Sequence, residues 1–126
     1  MLNILYVDQN PLPGILIRAA SLAGTEVSVH VARTVKDAQD WLILITDIDA
    51  VFICYEMRGG VNTVGSGLVS EFLANGFGTP EKPLVAFNRD PDDNHRMVVH
   101  GCNGNCCHAC IDEFFWDWLA ADAEAD

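Results

Sequence analysis

Three short apolar runs in this chain each stop at a polar residue, and those stops are where chemistry would sit. Leu2-Asn3-Ile4-Leu5-Tyr6-Val7 ends at Asp8-Gln9-Asn10. Within Asp49 to Met57, the apolar residues Ala50 to Cys54 give way to Tyr55-Glu56. The segment Pro83 to Phe87 ends at Asn88. Runs this short, rich in Val, Ile and Phe, read as strands buried on both faces. In an open α/β sheet the reacting groups lie outside the carboxyl ends of the strands. The groups there include the Asp8 carboxylate, the Cys54 thiol and the Gln9 and Asn88 amides. Cys54 would become a nucleophile only beside a cation or a helix N-terminus. Arg58 or Arg89 could supply the cation, while Asp8 would oppose it; the plainer reading of Cys54 is an inert, half-buried thiol.

A second concentration of reactive types is His100, Cys102, Cys106, Cys107, His108 and Cys110. Soft and borderline ligands at this density could hold Zn²⁺, with Cys102, Cys106, His108 and Cys110 as the candidate set. Cys107-His108-Ala109-Cys110 is also a Cys-x-x-Cys. A structural zinc site usually needs two such knuckles, and only one is present. If residues 106–111 form a strand, Cys106, His108 and Cys110 face one way and Cys107 the other. The simpler alternative is that cysteine replaces Val or Ala in a buried strand. The stretch Arg58 to Gly67 has four glycines in ten residues but matches no phosphate-binding fingerprint, and no Lys follows it. It reads as a loop with turn glycines; a small molecule beside it is the weakest functional alternative.

The composition excludes several classes of function. Eighteen acids against seven Lys and Arg leave a net charge of −11, which opposes direct nucleic-acid binding. The first residues carry no basic n-region, and no stretch approaches the roughly 20 apolar residues of a membrane span. Together these point to a cytoplasmic chain. In a reducing compartment its five cysteines are thiols or ligands rather than structural disulfides.

The elements that must position these groups alternate. After the first strand, Pro11 and Pro13 open a helix carrying Ile15, Leu16, Ala19, Ala20 and Leu22, with Gly24 as its cap. Glu26 to Ala32 alternates Val27, Val29 and Val31 with Ser28 and His30, an edge strand with a more polar face. Thr34 caps a second helix whose face is Ala38, Trp41, Leu42 and Ile45. The central strand and glycine loop lead to a helix over 68–73, stopped by Asn75-Gly76. The fourth strand follows, then a helix opened by Asp90-Pro91 and ending near Gly101. Asn103-Gly104-Asn105 reads as a turn and residues 106–111 as a fifth strand. A last helix starts at Asp112-Glu113. Its Trp116 and Trp118 lie about 200° apart on the helical wheel, so one must face solvent, where it becomes an interface candidate. Residues 1–126 form one β-α-alternating domain, a parallel sheet with helices on both faces.

With the elements in place, the chain resembles the receiver domains of two-component response regulators. The resemblance rests on Ile4-Leu5-Tyr6-Val7-Asp8-Gln9-Asn10, on Asp49 to Met57 and on Pro83 to Arg89. It implies an α/β, flavodoxin-like three-layer sandwich with a five-stranded parallel sheet in the order 2-1-3-4-5. Receivers accept a phosphoryl group from a histidine kinase on an Asp after strand three. They hold Mg²⁺ on an acid pair after strand one, and read the phosphoryl oxygens with a Thr or Ser after strand four and a Lys after strand five. Here Asp8 matches the first acid, but Gln9 stands at the second, Cys54 at the phosphoacceptor and Asn88 at the Thr/Ser position. The only lysines, Lys36 and Lys82, lie far in sequence from strand five. The resemblance thus implies a degenerate pocket of Asp8, Gln9, Cys54 and Asn88 that binds Mg²⁺ weakly or not at all, in a chain that is not an enzyme. It further implies contact with signalling proteins or a histidine kinase, and dimerisation through the fourth and fifth helices. The competing reading is a metal- or redox-responsive protein working through residues 100–110.

Overall fold

The computed structural model describes residues 2–44, 47–54, 65–88, 91–108 and 111–125. Ile45, Tyr55, Glu56, Arg58, the glycine stretch up to Val64, Arg89, Asp90 and Cys110 lie outside the described residues. The elements alternate in chain order. They are β1 (Leu2–Val7), α1 (Pro13–Leu22), β2 (Val27–Ala32), α2 (Val35–Leu44), β3 (Ala50–Ile53) and α3 (Gly65–Ala74), then β4 (Leu84–Phe87), α4 (Pro91–His100), β5 (Gly104–Cys106) and α5 (Ile111–Ala125). All five strands are parallel, in the order β2-β1-β3-β4-β5. The expected fold class and strand order are those observed.

Period-two alternation divides the sheet into two cores. Ile4, Tyr6, Ala50, Phe52, Val85 and Phe87 point to one face, where Leu16, Ala19 and Ala20 of α1 and Ile111 and Phe115 of α5 cover them. Leu5, Val7, Val51, Ile53, Leu84 and Ala86 point to the other, under Ala38 of α2, Leu68, Val69 and Phe72 of α3, and Met97 of α4. Every residue of β3 and β4 is fully buried, as continuous apolar runs in a two-sided sheet require. β2 is an edge strand, and its half-buried His30 lies against Trp41 of α2 at 5.0 Å between ring centroids.

Local signals set most of the ends. Thr34 Oγ1 accepts the Asp37 N–H at 3.1 Å and caps α2. Pro13 opens α1, and Gly24 just beyond its end has φ +84°. Gly101 ends α4 with φ +127°, a backbone conformation that favours glycine, and a Cβ there would also meet the Leu73 side chain of α3. Asp49 anchors the start of β3, accepting the Asn3 N–H on its carboxylate at 2.7 Å.

The last third of the chain departs from the sequence reading. The expected turn at Asn103-Gly104-Asn105 is largely strand, and β5 ends at Cys106 instead of running to Ile111. Asn103 is the cause. Its side-chain Oδ1 accepts the Leu84 N–H at 2.7 Å while its own N–H donates to the Leu84 carbonyl at 3.1 Å. This clasp at the start of β4 sets Gly104 opposite Val85. The Phe114 ring then lies 3.6 Å from where a Gly104 Cβ would be, closing over the strand. α3 also starts three residues earlier than expected, at Gly65, and α5 starts at Ile111. Among the described residues no helix is long and apolar enough to cross a membrane.

Phe52 is the hub of the α1/α5 core, with the rings of Phe87, Phe114 and Phe115 at 5.3–5.9 Å. Phe52→Ala is expected to destabilise the domain by about 3–5 kcal/mol, read as a lowered urea midpoint with little change in slope.

Candidate functional site

The carboxyl ends of the parallel strands form one rim, and the sequence sets four residues along it: Asp8 after β1, Cys54 after β3, Asn88 after β4 and His108 beyond β5. Backbone pairing carries the ladder into this rim. The Asp8 N–H donates to the Ala32 carbonyl at 3.0 Å and the Cys54 N–H to the Val7 carbonyl at 2.9 Å. Asp8 and Cys54 are therefore held at neighbouring strand ends, as their positions in the sequence imply.

Asp8 is 7% exposed, and neutral donors serve both of its oxygens. The Tyr6 hydroxyl donates to Oδ2 at 3.0 Å and the Asn10 N–H to Oδ1 at 2.9 Å. Tyr6 in turn accepts a long bond from the Leu12 N–H at 3.5 Å. Burial, and then the adjacent Asp8 carboxylate, push the Tyr6 phenol well above its ordinary pKa. Tyr6 stays neutral and serves as a donor to Asp8. Sequence reading took Tyr6 as a plain strand residue; its hydroxyl two residues before a strand-end acid was the available signal.

Asn88 is equally buried and is engaged by a residue that sequence reading missed. Asn94 of α4, 2% exposed, accepts both the Asn88 backbone N–H at 3.0 Å and its Nδ2 at 2.9 Å on one Oδ1. The Asn94 Nδ2 returns a 3.5 Å bond to the Asn88 carbonyl and lies 3.9 Å from Cys107 Sγ. A second bond from Asn88 Nδ2 reaches Met97 Sδ at 3.5 Å. The end of β4, the second turn of α4 and the exit of β5 are thereby joined. His108, half-buried, lies against Phe87 at 4.3 Å between centroids. Gln9 is half-buried beside Asp8.

As a cation site this donor set is poor. Mg²⁺ takes near-octahedral oxygen ligands, normally with more than one carboxylate or phosphate in reach. The described rim residues offer one carboxylate, already accepting two hydrogen bonds, with carboxamides and a thiol unsuited to a hard cation. Lys36 lies on α2, and Lys82 stands before β4 with its Nζ 5.6 Å from the Phe77 ring centroid. The residues directly after β5 are Cys107 and His108.

The structure separates two of the proposed metal ligands. Cys102 belongs to the core under α3 and α4, whereas Cys106 belongs to the core under α1 and α5 on the opposite face of the sheet. His108 lies past the end of β5, so strand alternation does not align it with Cys106. Among the described residues no three His, Cys, Asp or Glu side chains gather as a metal site, and the described cysteines are thiols. Cys102 packs as a small hydrophobe, and burial raises its thiol from the usual 9.0 to about 12. On α5, Trp116 is 57% exposed, while Trp118 is half-buried at 6.1 Å from both Phe114 and Phe115.

No family model and no curated protein matches the chain. Solved structures do. A response regulator from Burkholderia pseudomallei, determined with a phosphorylated aspartic acid and a calcium ion, superposes with a TM-score of 0.67 at 14% identity, over 99% of this chain and 73% of that one. A receiver domain protein from Clostridium thermocellum gives 0.65 at 14% over the whole of both chains. The chemotaxis protein CheY4 of Vibrio cholerae gives 0.61 at 16%, over 96% and 98%. At such identities the likeness establishes the fold: the chain has the architecture of a response-regulator receiver domain.

Two measurements test this site. Asn94→Leu removes the acceptor that Asn88 uses twice, and is expected to lower stability by about 1–3 kcal/mol and to shift the amide resonances of Asn88 and Cys107. Separately, the Cys102 thiol titrates higher in the folded than in the unfolded chain. Its contribution to stability is therefore intact below pH 9 and lost as pH rises toward 12, at up to about 1.4 kcal/mol per unit. Cys102→Ala is expected to flatten the alkaline fall in melting temperature.

Proposed function

We propose that this chain is a receiver-like signalling module that acts by contact with other proteins and is not switched by aspartyl phosphorylation. The observation that carries this reading is Cys54 at the end of β3, its N–H bonded to the Val7 carbonyl next to Asp8. That is where the receivers it resembles carry the phosphoacceptor. A thiol there offers no carboxylate for an acyl phosphate.

The surrounding residues support the same reading. Phosphoryl transfer depends on cations and positioned donors that offset charge on the moving group. Gln9 replaces the second acid, Asn88 replaces a hydroxyl, and no lysine follows β5. Asp8 and Asn88 hold hydrogen bonds within the protein, with Tyr6 and Asn10 and with Asn94. Such a rim is braced rather than poised to receive a ligand. A domain that keeps the scaffold while its reaction centre carries other chemistry retains its outer surfaces as its means of action, and the exposed Trp116 is one feature such a contact would use.

Incubation with acetyl phosphate or beryllofluoride and Mg²⁺ is expected to leave the mass and the amide spectrum unchanged. A stoichiometric adduct, or a Mg²⁺-dependent shift spreading from Asp8 and Cys54, would defeat the proposal.

A further inference from the structure

β2 closes the sheet at the end away from β4 and β5, and among the described elements no strand pairs with its outer side. Its hydrogen bonds to β1 fix which backbone groups face outward. The Leu2 N–H donates to the Glu26 carbonyl and the Asp8 N–H to the Ala32 carbonyl. Backbone groups of successive strand residues point to opposite edges. The even-numbered residues from Glu26 to Ala32 therefore serve β1, and the N–H and C=O groups of Val27, Val29 and Val31 face outward. Natural edge strands are blunted by a charge, a proline or a bulge. Val27-Ser28-Val29-His30-Val31-Ala32 contains no Lys, Arg, Asp, Glu or Pro, and it pairs with β1 residue for residue without a bulge. Its first five residues are half-buried, whereas β3 and β4, paired on both edges, are buried throughout.

We propose that the outer edge of β2 joins a second copy of this chain, β2 against β2 and antiparallel, to make one continuous sheet across a twofold axis. The register follows from the alternation. A twofold axis normal to the sheet at Val29 keeps every side chain on its own face and sets outward-facing backbone against outward-facing backbone. Val29 then stands opposite Val29 of the second copy, and Val27 opposite Val31, each pair exchanging both of its N–H···O bonds. On the α1 face valine meets valine, and β-branched cross-strand pairs of this kind stabilise a sheet. On the α2 face Ser28 meets His30 and Glu26 meets Ala32. Just beyond, Arg33 stands opposite Thr25, one residue from Glu26. The exposed Glu26 of one copy and Arg33 of the other thus come together at each end of the ladder with opposite sign, and no like charges are opposed. That self-complementarity favours a second copy over an unrelated strand. The overall charge acts the other way, since each copy carries −11. The attraction is short-ranged and largely uncharged, while the repulsion is long-ranged and screened by salt. Association therefore strengthens as salt is raised. One strand edge is small beside the roughly 1,600 Å² of a standard interface, so the dimer forms at concentrations on the order of 100 µM.

Sedimentation of the full chain is expected to show monomer passing to dimer between about 10 µM and about 1 mM, at lower concentration in high salt than in low salt. Amide hydrogen exchange reads the same step residue by residue. Val27, Val29 and Val31 gain protection as concentration rises, while Ser28, His30 and Ala32, already bonded to β1, are protected throughout. Val29→Pro removes an N–H that β1 does not use, and is expected to weaken the dimer at least about tenfold with the circular dichroism of the monomer unchanged. Arg33→Glu, at an exposed position outside the strand, is the second arm in case the proline variant misfolds; it is expected to weaken the dimer several-fold. A monomer at about 1 mM, a dimer that dissociates as salt is raised, concentration-dependent protection centred on α5 around the exposed Trp116, or a dimer unchanged by either variant in folded form would overturn the proposal. The acetyl phosphate experiment reads the rim around Cys54 and these measurements read the β2 edge, so either reading can fail while the other stands.

Discussion

Burial of β3 on both faces is the constraint from which the rest follows. Ala50, Val51, Phe52 and Ile53 are wholly inaccessible, with alternate side chains committed to opposite cores. A strand placed this way needs a partner on each edge and a helical layer over each face. β1 and β4 supply the edges; α1 and α5 cover Ala50 and Phe52, while α2, α3 and α4 cover Val51 and Ile53. Because all the strands are parallel, their carboxyl ends meet on one rim. Whatever stands just after β1, β3, β4 and β5 is gathered there by the scaffold, whether or not it is reactive.

In this chain the gathered residues turn inward. A buried carboxylate is costly unless its oxygens are hydrogen-bonded, and Tyr6 and Asn10 meet that requirement for Asp8. The two buried carboxamides of Asn88 and Asn94 largely answer one another. Asp8 and Asn88 thus find partners within the protein, which is consistent with action through outer surfaces.

Much of this was legible in the residues. The two-sided strands, the Thr34 cap, the proline start of α1 and the edge character of β2 follow from short-range periodicity and local chemistry, and so do Asp8, Cys54 and Asn88 as strand-end residues. Asn94 was not legible. Its role depends on a helix turning back over the end of β4, six residues on, and nothing around it distinguishes it from a solvent-facing asparagine. Tyr6 carried a partial signal, a hydroxyl two residues before Asp8, but only its burial against α1 and β4 makes that hydroxyl a fixed donor.

The fifth strand marks where sequence ceased to be sufficient. Asn103-Gly104-Asn105 has turn composition, and the cysteine run after it has strand composition, so local propensity put the strand too late. What decided the register was a long-range contact: the side chain and backbone of Asn103 clasp Leu84, and Phe114 covers Gly104. Edge strands have a partner on one side only, and their register is weakly written in their own residues. By itself the sequence determined the alternation of elements and the identity of the groups at the strand ends. Tertiary structure alone decided where β5 lies, that Cys102 and Cys106 fall on opposite faces of the sheet, and that Asp8 and Asn88 find hydrogen-bond partners in Tyr6, Asn10 and Asn94, because each of these is a relation between segments that only packing brings together.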